Sequence, residues 1–455
     1  MKKTALLLSP VILLFVMMLT LTACSDEEAR PSKVLRVYNW GEYISDGSDD
    51  SLDVNAAFEK YCADVLKMDV TVQYSTYASN EDMYAKLSQF NAGEYPYDIV
   101  IPSDYMIEKL ISEGMLEAFN PKESIENYQY IDDYFKGSSY DPKEHYDPNE
   151  LYSVPYTYGM IGIIYNTAFV NVDPELGEIE EDVLNESWHL LWNEKYAGKI
   201  LQFNNPRDAF GTAMYYADIN VNTSENSEWD RALELLKAQK PLIQAYVNDE
   251  IFNKMETASA WIAPYYAGDF LTMENEDLAF YYPSEGANYF VDAMCILKGT
   301  EEIDLAQEYI NFMLSPEIAV ANAVYIGYAS PNTQVYSSDC GADMCEHEWH
   351  NTYKEEMGED AIALLYETTP DMINSEYESK HGTVRYKNFT PETQDYVNEL
   401  WESLKTEHST GMWIHITTTV IIVSVFALAI YTTYIKKKRS RDYRLRDRNA
   451  RLAKK

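Results

Sequence analysis

Apolar and polar positions alternate along the chain in two rhythms that exchange with one another. Val34-Leu35-Arg36-Val37-Tyr38 reads as a strand, and Leu52 to Leu66 places Val54, Phe58, Tyr61, Cys62 and Val65 on one helical face. Val70-Thr71-Val72-Gln73-Tyr74 is β-branched and alternating, Glu81 to Phe90 puts Met83, Leu87 and Phe90 on one face, and Asp98 to Ser103 is a short apolar strand stopped by Pro102. Ser103 or Asp104 then caps a helix running to about Glu113. Strand, helix, strand, helix, strand in this order predicts a parallel α/β layer. A second series follows. Strands are predicted at Gly159–Asn166, Lys199–Phe203, Ala258–Ala263 and Phe290–Leu297, with helices at Asp208–Ala217 and Leu305–Leu314, the last stopped by Pro316. No tandem repeat and no long low-complexity linker interrupts the two series.

The two ends break this pattern. Met1-Lys2-Lys3 precedes an apolar run from Ala5 to Leu21, followed by Leu21-Thr22-Ala23-Cys24; a basic start, an apolar stretch and a small-residue site form an export signal. The expected division is a signal peptide at 1–23 and a tether at 24–33. Met412 to Ile435 contains no Asp, Glu, Lys or Arg, long enough to cross a hydrocarbon core of about 30 Å. Trp413, Tyr431 and Tyr434 stand where interfacial aromatics belong, and Lys436-Lys437-Lys438-Arg439 opens a basic tail, 436–455. The sequence thus predicts a transmembrane helix at 412–435 with the tail cytoplasmic and the body outside. The alternative for the same run is a buried core helix, against which the polybasic flank argues.

Charge sharpens this division. The chain of 455 residues carries −38. Eleven basic and two acidic residues give the tail +9, and Lys2 and Lys3 add +2, which leaves −49 for the region between. Such a body disfavours nucleic acid and anionic membrane faces, because phosphate binding needs clustered Lys and Arg. With 46% hydrophobic and 14% aromatic residues it is no disordered acidic polymer.

In open α/β sheets ligands sit outside the carboxyl ends of strands. There this sequence repeats one theme, an aromatic beside a carboxylate or amide: Asn39-Trp40-Gly41-Glu42-Tyr43, Pro102-Ser103-Asp104-Tyr105, Asn204-Asn205-Pro206-Arg207-Asp208, Pro264 to Asp269, Ile326-Gly327-Tyr328 and Glu376-Tyr377-Glu378. Carboxylates offset ammonium charges with charge-assisted hydrogen bonds, and aromatic faces hold methylenes and attract cations. For any single loop the same residues also serve as turn formers and caps, so composition and spacing alone select no ligand.

Longer blocks carry a resemblance. Val37 to Tyr43, Tyr74-Ser75-Thr76-Tyr77-Ala78-Ser79-Asn80-Glu81-Asp82-Met83-Tyr84-Ala85-Lys86-Leu87, Tyr97 to Ser103, Ser153-Val154-Pro155-Tyr156 and Ile326 to Asn332 resemble the bacterial spermidine/putrescine-binding proteins, the receptor components of polyamine ABC importers. The likeness covers roughly residues 34 to 405. It implies a two-lobe periplasmic-binding-protein fold of type II, with lobe 1 at 34–159 and 288–336 and lobe 2 at 160–287 and 337–405. It also implies a non-enzymatic, monomeric receptor without a cofactor, closing over a polyamine and delivering it to permease and ATPase subunits at the cell membrane. The four residues ending in Cys24 resemble a lipoprotein lipobox, which implies lipidation of Cys24; an ordinary secretory signal is the alternative.

Carried over by position, Trp40 and Tyr43 line the groove and Glu42 adds charge. Ser103 and Tyr105 lie on the same lobe, Asp208 and Asp292 each take an amine, and Tyr328 closes the wall. Departures are Gly41 for a Thr, Asn205 for an Asp, Phe290 for a Trp, Tyr265 or Tyr266 for another Trp, and Glu378 for a Gln. The preference between spermidine and putrescine is therefore open.

Two further readings compete. Cys340 and Cys345 with His347 and His350 could supply four zinc ligands, but the spacing departs from finger patterns and an exported context favours a local Cys340–Cys345 disulfide. Cys62 and Cys295 sit in apolar contexts and are expected as buried thiols. A glycosidase-like or carbohydrate-binding protein could use paired carboxylates in an aromatic cleft, and a sensor ectodomain could use the span. No Gly-x-Ser-x-Gly or His-Glu-x-x-His motif occurs.

Overall fold

The structure is a computed structural model and describes residues 32–137, 145–171, 179–336, 348–369, 373, 382–406, 421–428 and 430–441. The expected signal peptide with Cys24, the Cys340–Cys345 pair and Glu378 lie outside these residues.

Nine strands form one continuous sheet in the order β2-β1-β3-β9-β4-β7-β5-β6, with β8 also paired to β4. They are β1 Ser32–Trp40, β2 Asp69–Tyr77, β3 Ile99–Val100, β4 Ser153–Asn166, β5 Ile200–Phe203, β6 Ile243–Val247, β7 Ile262–Tyr266, β8 Leu278–Tyr281 and β9 Tyr289–Ile296. At one end β1 runs parallel to β2 and β3, and at the other β5 runs parallel to β6 and β7, as β-α-β connections require. Between them β4 and β9 pair antiparallel from Ser153↔Cys295 to Met160↔Tyr289, with a register shift between Pro155 and Thr157. All fourteen residues of β4 are buried. These two strands are the shared spine of the molecule.

The core divides along that spine. One cluster is built from Leu35, Val37, Phe58, Ile99, Ile107, Met294, Tyr309 and their neighbours, and a second from Ile161, Ile163, Trp188, Phe203, Phe210, Trp229, Ile262 and Trp401. Two separate apolar centres joined by paired strands make two lobes. Tyr353, Ile362, Leu365 and Tyr366 pack in the first cluster, whereas the expectation placed 337–405 with the second lobe; of that stretch Tyr386, Val397, Trp401 and Leu404 join the second.

Two local expectations are displaced. The strand expected at Ala258–Ala263 begins at Ile262, because Ala258 adopts φ 51° and ends the turn after helix Glu250–Glu256. Pro316 both follows one helix, Ile303–Met313, and opens the next, Pro316–Ile326, at a first-turn position where its missing N–H costs nothing. Cys62 and Cys295 are free and buried. Burial pushes the Cys62 thiol up to about 11 and Cys295 well above its ordinary value.

Residues 421–428 and 430–441 are helical, and Ile421, Ile422, Val423, Val425, Phe426, Leu428 and Ile430 are exposed. Among the described residues no helix is long and apolar enough to cross a membrane. The expected span at 412–435 is thus not present as one described helix; 412–420 and 429 lie outside the described residues.

Candidate functional site

A cleft opens between the two lobes, enclosing about 850 Å³ of empty space with its mouth included. Twelve of the thirteen residues expected to bind ligand line it, from Trp40, Glu42 and Tyr43 on one lobe to Asn205, Asp208, Tyr265 and Tyr266 on the other. Ser103, Tyr105, Phe290, Asp292 and Tyr328 complete that set, Glu378 being outside the described residues. Glu81, Asp249, Asp269 and Tyr386 line the cleft too and were not foreseen. Asp269 stood in the sequence within the Pro264–Asp269 loop, so the signal for it was present. Glu81 sat inside a helix-like pattern and gave none.

Local folding explains the placement. Trp40 ends β1, and the chain turns at once, with Glu42 in the left-handed region at φ 48°. That turn brings Tyr43 back under the sheet. Its hydroxyl donates to Asp292 Oδ2 at 2.7 Å and lies 2.6 Å from Thr157 Oγ1. Thr157 and Asp292 are register partners on β4 and β9, so the shared spine itself carries this carboxylate. Asn205 caps helix Pro206–Tyr216, accepting from the Asp208 N–H at 2.8 Å, and its Nδ2 donates to Asp208 Oδ2 at 2.9 Å. The Tyr266 hydroxyl donates to the same oxygen at 2.7 Å. On the wall opposite, the Tyr328 hydroxyl donates to Asp269 Oδ2 at 3.0 Å. The Tyr105 hydroxyl donates to Glu81 Oε1 at 3.0 Å.

Each of these carboxylates therefore has a tyrosine partner. Between them runs a row of rings: Tyr266 meets Phe290 edge-on at 5.5 Å, and Phe290 meets Tyr328 at 6.0 Å. Tyr43 packs on Tyr328 at 5.2 Å. Gly159 lies opposite Phe290 in the β4–β9 register, and a Cβ there would stand 3.0 Å from the Phe290 ring, so glycine makes room for the row.

The electrostatics of the cleft are those of buried carboxylates. The residues that line the cleft include no Lys, Arg or His. Burial pushes Asp292 up to about 7, with Asp104 and Asp208 adding repulsion and the Ser103 and Tyr43 hydroxyls holding it partway back. Burial also raises Glu81 to about 7 and Asp269 to about 8, and Asp208 and Asp249 shift upward for the same cause. Asp292 Oδ1 is buried and has no hydrogen-bond partner. Such oxygens are costly to leave unpaired, and a cationic donor entering the cleft would satisfy them. Among the described residues, no group of His, Cys, Asp and Glu is arranged to hold a metal ion.

The profile of bacterial extracellular solute-binding proteins matches residues 54–346. The chain belongs to that family. Among members of this solute-binding family, a protein of Salmonella typhimurium named as a spermidine/putrescine-binding periplasmic protein is 29% identical over 310 residues, 68% of this chain and 80% of its own. A putrescine/cadaverine-binding protein of Pseudomonas aeruginosa is 27% identical, over 67% of this chain and 81% of its own. A solved structure of a spermidine/putrescine ABC transporter protein from Listeria monocytogenes is 28% identical, covers 82% of this chain and 99% of its own, and superposes with a TM-score of 0.65. The two-lobe solute-binding fold expected from the sequence is thereby met in known members.

Proposed function

We propose that this solute-binding protein is an extracytoplasmic receptor for linear polyamines, which it captures between its lobes and delivers to an ABC importer. The observation that carries this is the pattern of the cleft: six carboxylates, of which Asp292, Asp208, Asp269 and Glu81 are held by tyrosine hydroxyls, set around a row of aromatic rings with no lining cation. Relatives named for spermidine and putrescine point the same way.

In this reading Asp208, Asp292 and Asp269 receive ammonium groups, while Trp40, Tyr43, Tyr266, Phe290 and Tyr328 hold the methylene segments. Asp292 comes from the spine, Asp208 and Asp269 from the second lobe, and Tyr43 and Tyr328 from the first. A ligand touching all of them stabilises only the closed arrangement, so closure is a population shift driven by contacts that exist in one state. Calorimetry of the full chain in detergent with spermidine, putrescine and a neutral sugar tests this. Heat from the polyamines alone is the expected result; heat or turnover with sugar alone overturns it.

The body is held at the membrane, with its cleft outside, by lipid on Cys24 and by the apolar C-terminal stretch. Exposed apolar residues from Ile421 to Ile430, followed by Lys436 to Arg439, support the second anchor. Protease added to intact cells should remove the body and leave the basic tail protected. A digested tail would reject this topology.

A further inference from the structure

Three carboxylates that line the cleft, Glu42, Glu81 and Asp249, have no task in that reading, and of these Glu81 is held by a tyrosine hydroxyl. Glu81 is the second residue of helix Asn80–Leu87, whose start is fixed by Ser79 accepting from the Asp82 N–H at 3.1 Å. Asn80 Nδ2 donates to both Ser103 Oγ and the Tyr105 hydroxyl, each at 3.1 Å. The Tyr105 oxygen is thus occupied as an acceptor by Asn80, and its proton is directed to Glu81. This holds the carboxylate at the first lobe's wall of the cleft.

On the second lobe Asp208 lines the same cleft, and its field adds to the burial that raises Glu81. Asn205, which stands where the resemblance implies an acid, spends its amide on Asp208. Arg207 follows in sequence but turns away, donating to Val221 O, Asn222 Oδ1 and Lys387 O. Its guanidinium is stacked over Phe389 and Tyr386 at 3.8 and 4.2 Å. It weakens the repulsion between Glu81 and Asp208 without bridging them.

We propose that Glu81 is a specificity-determining residue: together with Asp208 it forms a cross-lobe seat for one ammonium, so that the cleft ranks a linear triamine above a diamine. The proposal rests on the polyamine reading and deepens it. The charge that Asn205 withholds is supplied by Glu81 from the facing lobe. A triamine can fill this seat and the carboxylates at Asp292 and Asp269, whereas a diamine leaves one of the three without a cation.

The test is the ratio of spermidine to putrescine affinity, measured by calorimetry on the full chain in detergent. Glu81→Gln keeps an acceptor for Tyr105 and removes the charge. The ratio should fall about tenfold, and Asn205→Asp in the same chain should restore it. An unchanged ratio, whether both affinities fall together or neither moves, overturns the role of Glu81. Failure of the unaltered chain to bind either amine overturns the polyamine reading itself, a result distinct from the first. If Glu81→Gln does not fold, Tyr105→Phe, which removes the hydroxyl that holds Glu81, should lower the same ratio; no change there overturns the proposal.

Discussion

The Tyr328 hydroxyl, carried by the first lobe, donates to Asp269 of the second at 3.0 Å. Tyr328 follows the helix Pro316–Ile326, and Asp269 lies in the short helix Ala267–Leu271 that follows β7. The neighbouring residue shows how close that approach is: a Cβ added to Gly268 would lie 2.3 Å from Tyr328 Cδ2. Gly268→Ala should therefore hold the lobes apart. Each core remains intact, so the melting temperature without ligand should stay within a few degrees. Polyamine affinity should fall about tenfold or more, since closure loses its differential contacts. Small-angle scattering with saturating ligand should show a larger radius of gyration than for the unaltered chain. An equally compact liganded form would reject the steric argument.

Tyr328→Phe removes the hydrogen bond and keeps the ring. The Asp269 carboxylate then loses a partner in a partly buried site, which costs about 1–2 kcal/mol in the closed form. Affinity should fall roughly tenfold, chiefly through faster release. Stopped-flow dissociation measures this, and an unchanged off-rate would show that the contact is not part of the bound state.

The strands that build the site were legible because their runs are apolar and short. Val34–Tyr38 and Val70–Tyr74 lie inside β1 and β2. β6 and β8 escaped notice, since Ile243–Val247 is interrupted by Gln244, Leu278–Tyr281 is only four residues long, and both are mostly half-buried. Trp40, Tyr43, Asp208 and Asp292 were reached through resemblance at strand ends. Glu81 needed the fold, because its partner Tyr105 lies on another helix; Asp269 stood in the Pro264–Asp269 loop, but its pairing with Tyr328, far along the chain, did not show in the sequence. The packing of Tyr353 and Tyr366 against the first core was likewise invisible, being decided by tertiary contact and not by periodicity.

Asp292 is 3% exposed, with one oxygen bonded by Tyr43 and the other without a partner. Asp292→Asn keeps the shape and removes the charge. A buried ammonium then loses its counter-ion, and polyamine affinity should fall about tenfold or more. Calorimetry decides, and unchanged affinity would place Asp292 outside the site.

The Asp104–Arg385 ion pair supports the cleft from below. Arg385 Nη1 stands 3.4 Å from an Asp104 carboxylate that is 1% exposed, and the Asp104 carboxylate also accepts the Tyr105 and Val291 N–H groups. Arg385→Met leaves that carboxylate buried without its cation. Removing one partner of a buried pair costs about 3–5 kcal/mol, so urea denaturation should show a loss of that order. A loss below about 1 kcal/mol would show that the pair is screened as at a surface.

The raised carboxylates make stability and binding respond to pH in opposite senses. Asp292 and Glu81 titrate at about 7 and Asp269 at about 8 in the folded chain, against ordinary values of 3.8, 4.5 and 3.8. Between the ordinary and the raised values the folded state holds more protons than the unfolded one, so stability falls as pH rises. Their contribution is fully present below about pH 4 and is lost as pH climbs through 7 and 8. The unliganded melting temperature should therefore carry a downward component from pH 5 to 8.5 that Asp269→Asn reduces. A polyamine needs the ionised carboxylates, so binding near pH 7 should expel about one proton or more. Calorimetry in buffers of different ionisation enthalpy measures that release directly. Affinity should accordingly weaken from pH 8 to pH 5.5, and a pH-independent affinity with no proton release would show that the cleft carboxylates are already ionised before the ligand arrives.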